Sequence, residues 1–374
     1  MKSSFKDKLT KQGPRKLLAL DGGGIRGVIT LEILAEIERQ LQKELGRDDS
    51  FVLSDYFDYI AGTSTGAIIA ACLSLGLRVS DVLGFYLESG PAMFAKARLF
   101  RRFWYKYDST PLAKMLQDKF GAKTEFGSER LQTLLMLVLR NATTDSHWPL
   151  SNNPSAKYNT PLTCPGCNLK FPLWQLVRAS TAAPTFFPAE KIVVDGRDHL
   201  FVDGGLTMYN NPAFHLFLMA TVEPYNLNWP AGEDKMLLVS VGTGSGANAR
   251  FKLSPRELHL LYNASSIPAA LMFAALNEQD FLCRVFGKCL VGGWLDHEVQ
   301  DMIGKRGPAL PKLFTYVRYN ADLTADGLRT LGLTEVEPKH VQKMDSTKHI
   351  PELRKVGEAA AQQIASAHFE GFVS

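Results

Sequence analysis

Twice near its start the chain runs through a short apolar stretch, stops on glycine, and continues with helical spacing. This repeated unit constrains the fold more than any other feature. Lys16 to Leu20 (KLLAL) ends at Asp21-Gly22-Gly23-Gly24, and beyond Gly27 apolar residues fall at Ile33, Leu34, Ile37, Leu41 and Leu45. Tyr56 to Ala61 (YFDYIA) ends at Gly62-Thr63-Ser64-Thr65-Gly66, followed by AIIAACLSLGL. Short apolar runs bounded by turn signals read as buried strands, and the periodic runs after them as helices. Strands that alternate with helices build an α/β layered fold around a mostly parallel sheet.

The rest of the chain is read in the same way. Asp81 to Arg140 is expected to be largely helical, although Leu131 to Arg140 (LQTLLMLVLR) suits helix or strand equally. Residues 144–172 are rich in Pro, Asn, Ser and Thr and read as a long loop. A helix over Leu173 to Ala179 precedes a hairpin of Ile192 to Val194 with Leu200 to Val202. Met236 to Val241 (MLLVSV) is another buried strand. Residues 255–300 have a helical pattern, Phe314 to Tyr319 reads as an edge strand, and Glu352 to Ala367 as a terminal helix. The expected organisation is a tail over 1–14, a core over 15–245, and a mainly helical extension over 246–374 packed on the same domain.

With 374 residues, 45% apolar and 21% charged, the chain supports a sizeable core, and its net charge of +4 is too weak to point to a nucleic acid polymer. No apolar stretch is long enough for a membrane span. Met1 to Lys16 lacks the apolar region of a secretory signal. An odd set of five cysteines, one of them (Cys72) inside an apolar run, argues against a disulfide framework and for a reducing compartment.

Three motifs carry chemistry. Gly62-Thr63-Ser64-Thr65-Gly66 fits G-x-S-x-G, in which a nucleophilic serine occupies a sharp strand-to-helix turn and its neighbours must be small for substrate to approach. The bland alternative is a glycine turn with a helix-capping serine. Gly22-Gly23-Gly24-Ile25-Arg26-Gly27 fits G-x-G-x-x-G. A dinucleotide site would require an acidic residue at the end of the next strand, whereas Glu38 and Glu44 fall in or near the helix; the Gly-Lys-Ser/Thr ending of a phosphate loop is also missing. The other reading is an oxyanion hole of bare backbone amides, with Arg26 adding charge or anchoring the loop. Asp203-Gly204-Gly205 ends HLFVDGG, 139 residues after Ser64. Alone it is an ordinary Asp-Gly turn. A Ser-His-Asp triad would need His215, His259 or His297, none of which lies in a motif-like setting; His215, in FHLF, reads as a core histidine.

Together, ALDGGGIRG, YFDYIAGTSTGAIIA, ASTAAPTFFPA (179–189) and DGGLTMYNNP (203–212) resemble the patatin-like phospholipase family over roughly residues 15–245. The resemblance implies a three-layer α/β/α sandwich and a phospholipase A type of lipid acyl hydrolysis without a metal or other cofactor. It implies a Ser–Asp dyad in which Ser64 is the nucleophile and Asp203 the base, with Gly22 to Gly24 and Arg26 in the oxyanion loop. Partial burial is then expected to raise Asp203 toward neutrality, because a carboxylate at its ordinary value is a weak base. The segment QLVRASTAAPTFFPAE and the region after 245 are most similar to bacterial cytosolic members, which implies a cytoplasmic protein acting peripherally on the inner membrane face. Some of those members are anti-phage effectors switched on by a cyclic dinucleotide, so the resemblance extends to such an activator as a partner. The competing function is a nucleotide-binding sensor that uses the glycine loop, with Ser64 incidental; such a module has no need of Asp203.

Three further features stand outside these motifs. Cys164-Pro-Gly-Cys167 suits half a zinc site with Cys283, Cys289 or His147, or a loop with two free thiols. Phe94 to Tyr107 (FAKARLFRRFWYKY) interleaves basic and aromatic residues, as an interfacial segment, a pocket for a phosphorylated activator, or a half-buried helix with a solvated basic face would. Ile267 to Leu276 reads by default as a core helix, with a lid or a dimer surface as the alternatives.

Overall fold

In the computed structural model, residues 4–96, 105–160, 166–246 and 260–373 are described, with backbone alone at 260–266 and 268. A short helix α1 (Phe5–Thr10) leads into β1 (Arg15–Leu20), buried along its whole length. The glycine loop then turns into α2 (Gly27–Glu44), whose buried face includes Ile29, Ile33, Ile37 and Leu41, one helical turn apart. After α3 (Leu53–Tyr56) come β2 (Tyr59–Thr63) and α4 (Thr65–Ser74), both wholly buried. The strand expected over Tyr56 to Ala61 thus starts later. Asp58 sits at its entrance, taking hydrogen bonds from the Lys16 backbone amide and from Lys11 Nζ, each at 2.9 Å.

Helices α5 (Val79–Met93) and α6 (Thr110–Phe120) follow, then β3 (Leu134–Asn141) and β4 (Ser146–Ser151). Leu131 to Arg140 is therefore mostly strand, and the loop expected over 144–172 begins with a strand paired to β3. Its proline and polar residues hid it, yet Pro149 is tolerated because a strand at a sheet edge needs no N–H on its outer side. Next are α7 (Leu173–Ser180), the hairpin β5 (Glu190–Val194) and β6 (Arg197–Asp203), α8 (Ala213–Thr221) and β7 (Met236–Val241). The remainder holds α9 (Leu260–Phe286), β8 (Lys288–Val291), β9 (Thr315–Tyr319), α10 (Ala325–Thr330), α11 (Pro338–Val341) and α12 (Ile350–Ala361).

One mixed sheet runs in the order β5-β6-β3-β2-β1-β7-β9-β8, with β4 on β3. The segment from β3 through β2, β1, β7 and β9 to β8 is parallel. Helices cover both faces, so the interior strands are continuous apolar runs. The expectation of an edge strand at Phe314 to Tyr319 is corrected: β9 lies between β7 and β8 and is fully buried. Lys288–Val291, read as part of a helical stretch, is too short for its period to distinguish it from the end of α9.

The registers around β3 bring two distant segments together. Met136, Leu137 and Val138 pair with both β2 and β4, whereas Leu139, Arg140 and Asn141 pair with both β4 and β6. A strand has two edges, so β2 and β6 share the edge that β4 leaves open. They arrive from opposite directions: Thr63 is the partner of Val138 and Asp203 the partner of Leu139. The C-terminal ends of β2 and β6 consequently meet head to head, with Ser64 and Asp203 at the junction.

Candidate active site

Ser64 follows the last residue of β2 and precedes α4. Its backbone is at φ 55°, ψ −122°, a positive-φ conformation that costs a non-glycine residue energy and is held only where the surroundings enforce it. The enforcement is visible. A Cβ on Gly62 would fall 2.1 Å from the Gly66 carbonyl oxygen, and one on Gly66 would fall 2.3 Å from that of Leu20. The turn is therefore tight because β1, β2 and α4 touch backbone to backbone. The Ser64 amide donates to Ser180 Oγ at 3.0 Å, and Ser180 in turn donates to the Val138 carbonyl at 2.6 Å. Thr63 donates to the Tyr209 carbonyl at 2.7 Å, and Thr65 shares a 2.5 Å hydrogen bond with Tyr86.

Ser64 Oγ donates to Asp203 Oδ2 at 2.6 Å, and the Gly205 amide donates to Asp203 Oδ1 at 2.7 Å. Gly204 turns the chain where a Cβ would lie 2.2 Å from the Val138 carbonyl oxygen. Asp203 is buried, and burial pushes its carboxyl up to about 6; the hydrogen bonds from Ser64 and Gly205 and the charge of Arg178 partly oppose that rise. Arg178 itself is fully buried, donating from Nη2 to the Pro188 carbonyl at 3.0 Å, with its guanidinium 5.4 Å above the Phe187 ring.

The glycine loop divides its amides between two uses. The Gly22 amide donates to the Asn210 carbonyl (3.1 Å), that of Ile25 to Met344 (2.9 Å) and that of Arg26 to Gly23 (3.3 Å). Among the described residues, the amides of Gly23, Gly24 and Thr65 have no such acceptor, and all three residues line the cavity over Ser64. Gly24 has φ +62°, and its α-carbon faces the Met344 carbonyl so closely that a Cβ would lie 2.2 Å from it. The Arg26 Nε donates to the Gly23 carbonyl at 3.4 Å, so its visible role is to anchor the loop. Burial lowers this guanidinium to about 10 against the opposing pull of Asp21. Gly27 opens α2 against Thr65, whose Oγ1 would lie 2.7 Å from an added Cβ.

Asp21, the first residue of the loop, belongs to a separate charge cluster. Its two oxygens accept from Arg318 Nη1 (3.0 Å) and Nη2 (2.5 Å). Arg284 on α9 donates to both oxygens of Asp280 at 2.9 and 2.7 Å, and Tyr316 adds a 2.9 Å bond to the same carboxylate. Burial disfavours the charge on Arg318, but Asp21 and Asp280 more than offset that and hold it above the ordinary arginine value. Burial pulls Asp21 the other way, upward. The bidentate geometry and the reinforced guanidinium make this an ionised pair.

Ser64 and Asp203 lie on the wall of a cavity of about 580 Å³. The lining is apolar: Ile68, Met93, Phe94, Leu112, Phe186 and Phe187, with Ala269 and Met272 of α9 and Met344 closing it. The stretch ASTAAPTFFPA supplies one wall. Asn210 also faces the space and crowds Gly22 and Gly205, where added Cβ atoms would lie 2.3 and 2.9 Å from its Oδ1.

The structure thus brings Ser64, Asp203 and the glycine loop together. It leaves His215 apart, with its ring tilted against that of Tyr209 at 4.4 Å between centroids and burial lowering it to about 4, so it is neutral at ordinary pH. His297 is exposed, and His259 lies outside the described residues. So do Arg101 and Arg102 of the basic-aromatic segment; Lys106 and Tyr107 pair with Asp345. Cys164 is outside them as well, while Cys167 is buried with its Sγ 3.4 Å from the Asn159 carbonyl oxygen. Cys283 and Cys289 are also buried, and burial raises both thiols, Cys289 to about 11. Sequence reasoning missed Ser180, Asn210 and Met344 as parts of the site. The first two lie in motif segments, but only their tertiary neighbours reveal what they do.

A family model for patatin-like phospholipases matches residues 18–217. The chain is 34% identical over 242 residues to an intracellular phospholipase A2 of Caenorhabditis elegans, covering 63% of this chain and 20% of that protein. It is 31% identical over 250 residues to Patatin-17 of Solanum cardiophyllum, covering 61% and 60%. It is 29% identical over 255 residues to a cGAMP-activated phospholipase of Vibrio cholerae, covering 65% and 67%. The chain therefore spans a fifth of the nematode protein's length and three-fifths of the patatin's.

Proposed function

Because the chain belongs to the patatin-like phospholipase family, we propose that it hydrolyses fatty-acyl esters of membrane phospholipids through Ser64 and Asp203. The observation that carries this reading is the 2.6 Å Ser64–Asp203 hydrogen bond beside unengaged amides on an apolar cavity. Ser64 Oγ attacks the ester carbonyl carbon as its proton passes to Asp203 Oδ2. The tetrahedral oxyanion is held by the amides of Gly23 and Gly24, at the positive end of α4. Collapse breaks the carbon–oxygen bond to the alcohol, which takes the proton from Asp203 and leaves as a lysophospholipid. Water, deprotonated by the same carboxylate, then releases the fatty acid from the acyl-enzyme. A carboxyl near 6 is largely ionised at neutral pH yet more basic than an ordinary aspartate. The apolar lining accommodates an acyl chain, which supports a lipid ester over a nucleotide as the occupant.

The similarity to the Vibrio cholerae protein supports a finer reading, in which a cyclic dinucleotide switches the hydrolase on. Both readings are tested by lipid-like fluorophosphonate labelling and by lipid hydrolysis, with and without candidate cyclic dinucleotides. Wild type is expected to label and Ser64→Ala to remain unlabelled. Labelling that appears only with the nucleotide supports the switch. Absence of labelling under every condition favours a nucleotide-binding sensor.

A further inference from the structure

Away from the cavity, α11, α12 and the turn between them bring three metal-ligating side chains together. His340 Nδ1 lies 3.0 Å from one oxygen of Glu352, and His349 Nδ1 lies 3.1 Å from the other. The two imidazoles stack with centroids 3.8 Å apart and planes 18° from parallel. All three potential ligand atoms lie within 4.8 Å of one another, and each residue is half-buried. Two atoms bound to one tetrahedral zinc-class ion at its usual bond lengths stand about 3.3 Å apart. The nitrogen–oxygen separations here are already close to that spacing.

The cluster also sits at a telling place in the chain. It joins the two ends of the loop between Val341 and Ile350. That loop carries Met344, whose carbonyl accepts the Ile25 amide at 2.9 Å and which lines the cavity. It also carries Asp345, which takes hydrogen bonds from Tyr107, at 2.7 Å, and from Lys106. Behind the cluster, Arg354 of α12 donates to Glu32 of α2 at 2.6 Å, on the helix that begins at the glycine loop.

We propose that His340, His349 and Glu352 bind a divalent transition ion of the zinc class, which clamps the Met344–Asp345 loop against the glycine loop. Two imidazoles and one carboxylate form a ligand set that such ions favour, with water completing the shell. The ion takes no part in ester chemistry, and the site is independent of the hydrolase reading.

The test titrates Co²⁺ into chelator-treated full-length protein. One equivalent is expected to bind with the visible absorption of low-coordinate Co²⁺. The thermal midpoint is expected to rise by about 3 °C when free ion exceeds the dissociation constant by about a hundredfold. His340→Gln/His349→Gln is expected to lose both effects while keeping its circular dichroism. Glu352→Gln keeps both imidazoles and gives an independent route if the double variant misfolds; it should bind at least about tenfold more weakly. Cys167→Ser should bind like wild type. The proposal is overturned if neither Co²⁺ nor Zn²⁺ binds at micromolar concentration, or if binding survives unchanged in the histidine double variant or in Glu352→Gln.

Discussion

Two buried aspartates stand at strand ends, Asp203 against Ser64 and Asp21 against Arg318, and their surroundings could hardly differ more. Asp21 and Asp203 both end, or directly follow, strands of the same sheet, and both are shielded from water. Asp21 faces a guanidinium across two hydrogen bonds. Asp203 has a hydroxyl and one backbone amide. A buried carboxylate given a full counter-charge becomes a fixed anion that locks structure. One given only neutral donors is left wanting a proton, which is the property a general base needs. Burial alone creates neither role; the partner decides.

The largest effect should come from removing the wanting carboxylate. Asp203→Asn is expected to lower kcat by about 10⁴-fold, measured on a phospholipid ester. The same change should stabilise the fold. Asp203 has a folded value near 6 against 3.8 for an ordinary aspartate, so the ionised form is disfavoured in the native state. That cost is absent below pH 4, grows through pH 6 and is flat above. The gain in unfolding free energy at pH 8 should therefore be about 3 kcal/mol at most. A variant both inactive and destabilised at pH 8 breaks the contrast.

Asp21 should respond in the opposite sense. Arg318→Met strands a buried anion and is expected to cost about 3–5 kcal/mol in denaturant unfolding. Asp21→Asn in the same chain should recover much of that loss. If the double variant is no more stable than Arg318→Met, the two charges are not the coupled unit described here.

A smaller effect sharpens the comparison along the pH axis. The profile of kcat/KM should fall tenfold per pH unit below about 6, as Asp203 takes up its proton. Asp21, held ionised by Arg318, should add no limb above it. A limb near 4 would mean that the base is not buried as described. The smallest effect concerns the histidines. His297→Gln, on the surface, should change stability by no more than about 0.5 kcal/mol. His215→Gln should leave the acid limb where it is, since neither ring nitrogen touches Ser64 or Asp203.

The contrast between the two aspartates was only half legible in the sequence. The strand–glycine–helix units, the parallel core and the elbow at Ser64 follow from local patterns, because apolar runs and glycine act over a few residues. Asp203 as a partner for Ser64 came from a family resemblance, since nothing local distinguishes it from a turn. Arg318 was invisible: it sits in TYVRY, and only the pairing of β7 with β9 carries it beneath Asp21. The same reasoning explains β4, concealed by Pro149, and β8, too short to show a period. It also explains the glycine loop. The sequence marked its amides as donors, but only the structure shows that Asn210 and Met344 engage two of them, leaving Gly23 and Gly24 open.

The head-to-head meeting of β2 and β6 against β3 has a consequence for the order of events during synthesis. Ser64 leaves the ribosome 139 residues ahead of Asp203. At ordinary elongation rates that interval is about 10–30 seconds. Through that time the elbow can form, but no carboxylate is present to take its proton. A chain that interrupts synthesis or misfolds before β6 docks carries Ser64 without its Asp203 partner. On the proposed phospholipase reading, reactivity is deferred until β6 has been made and has docked on β3.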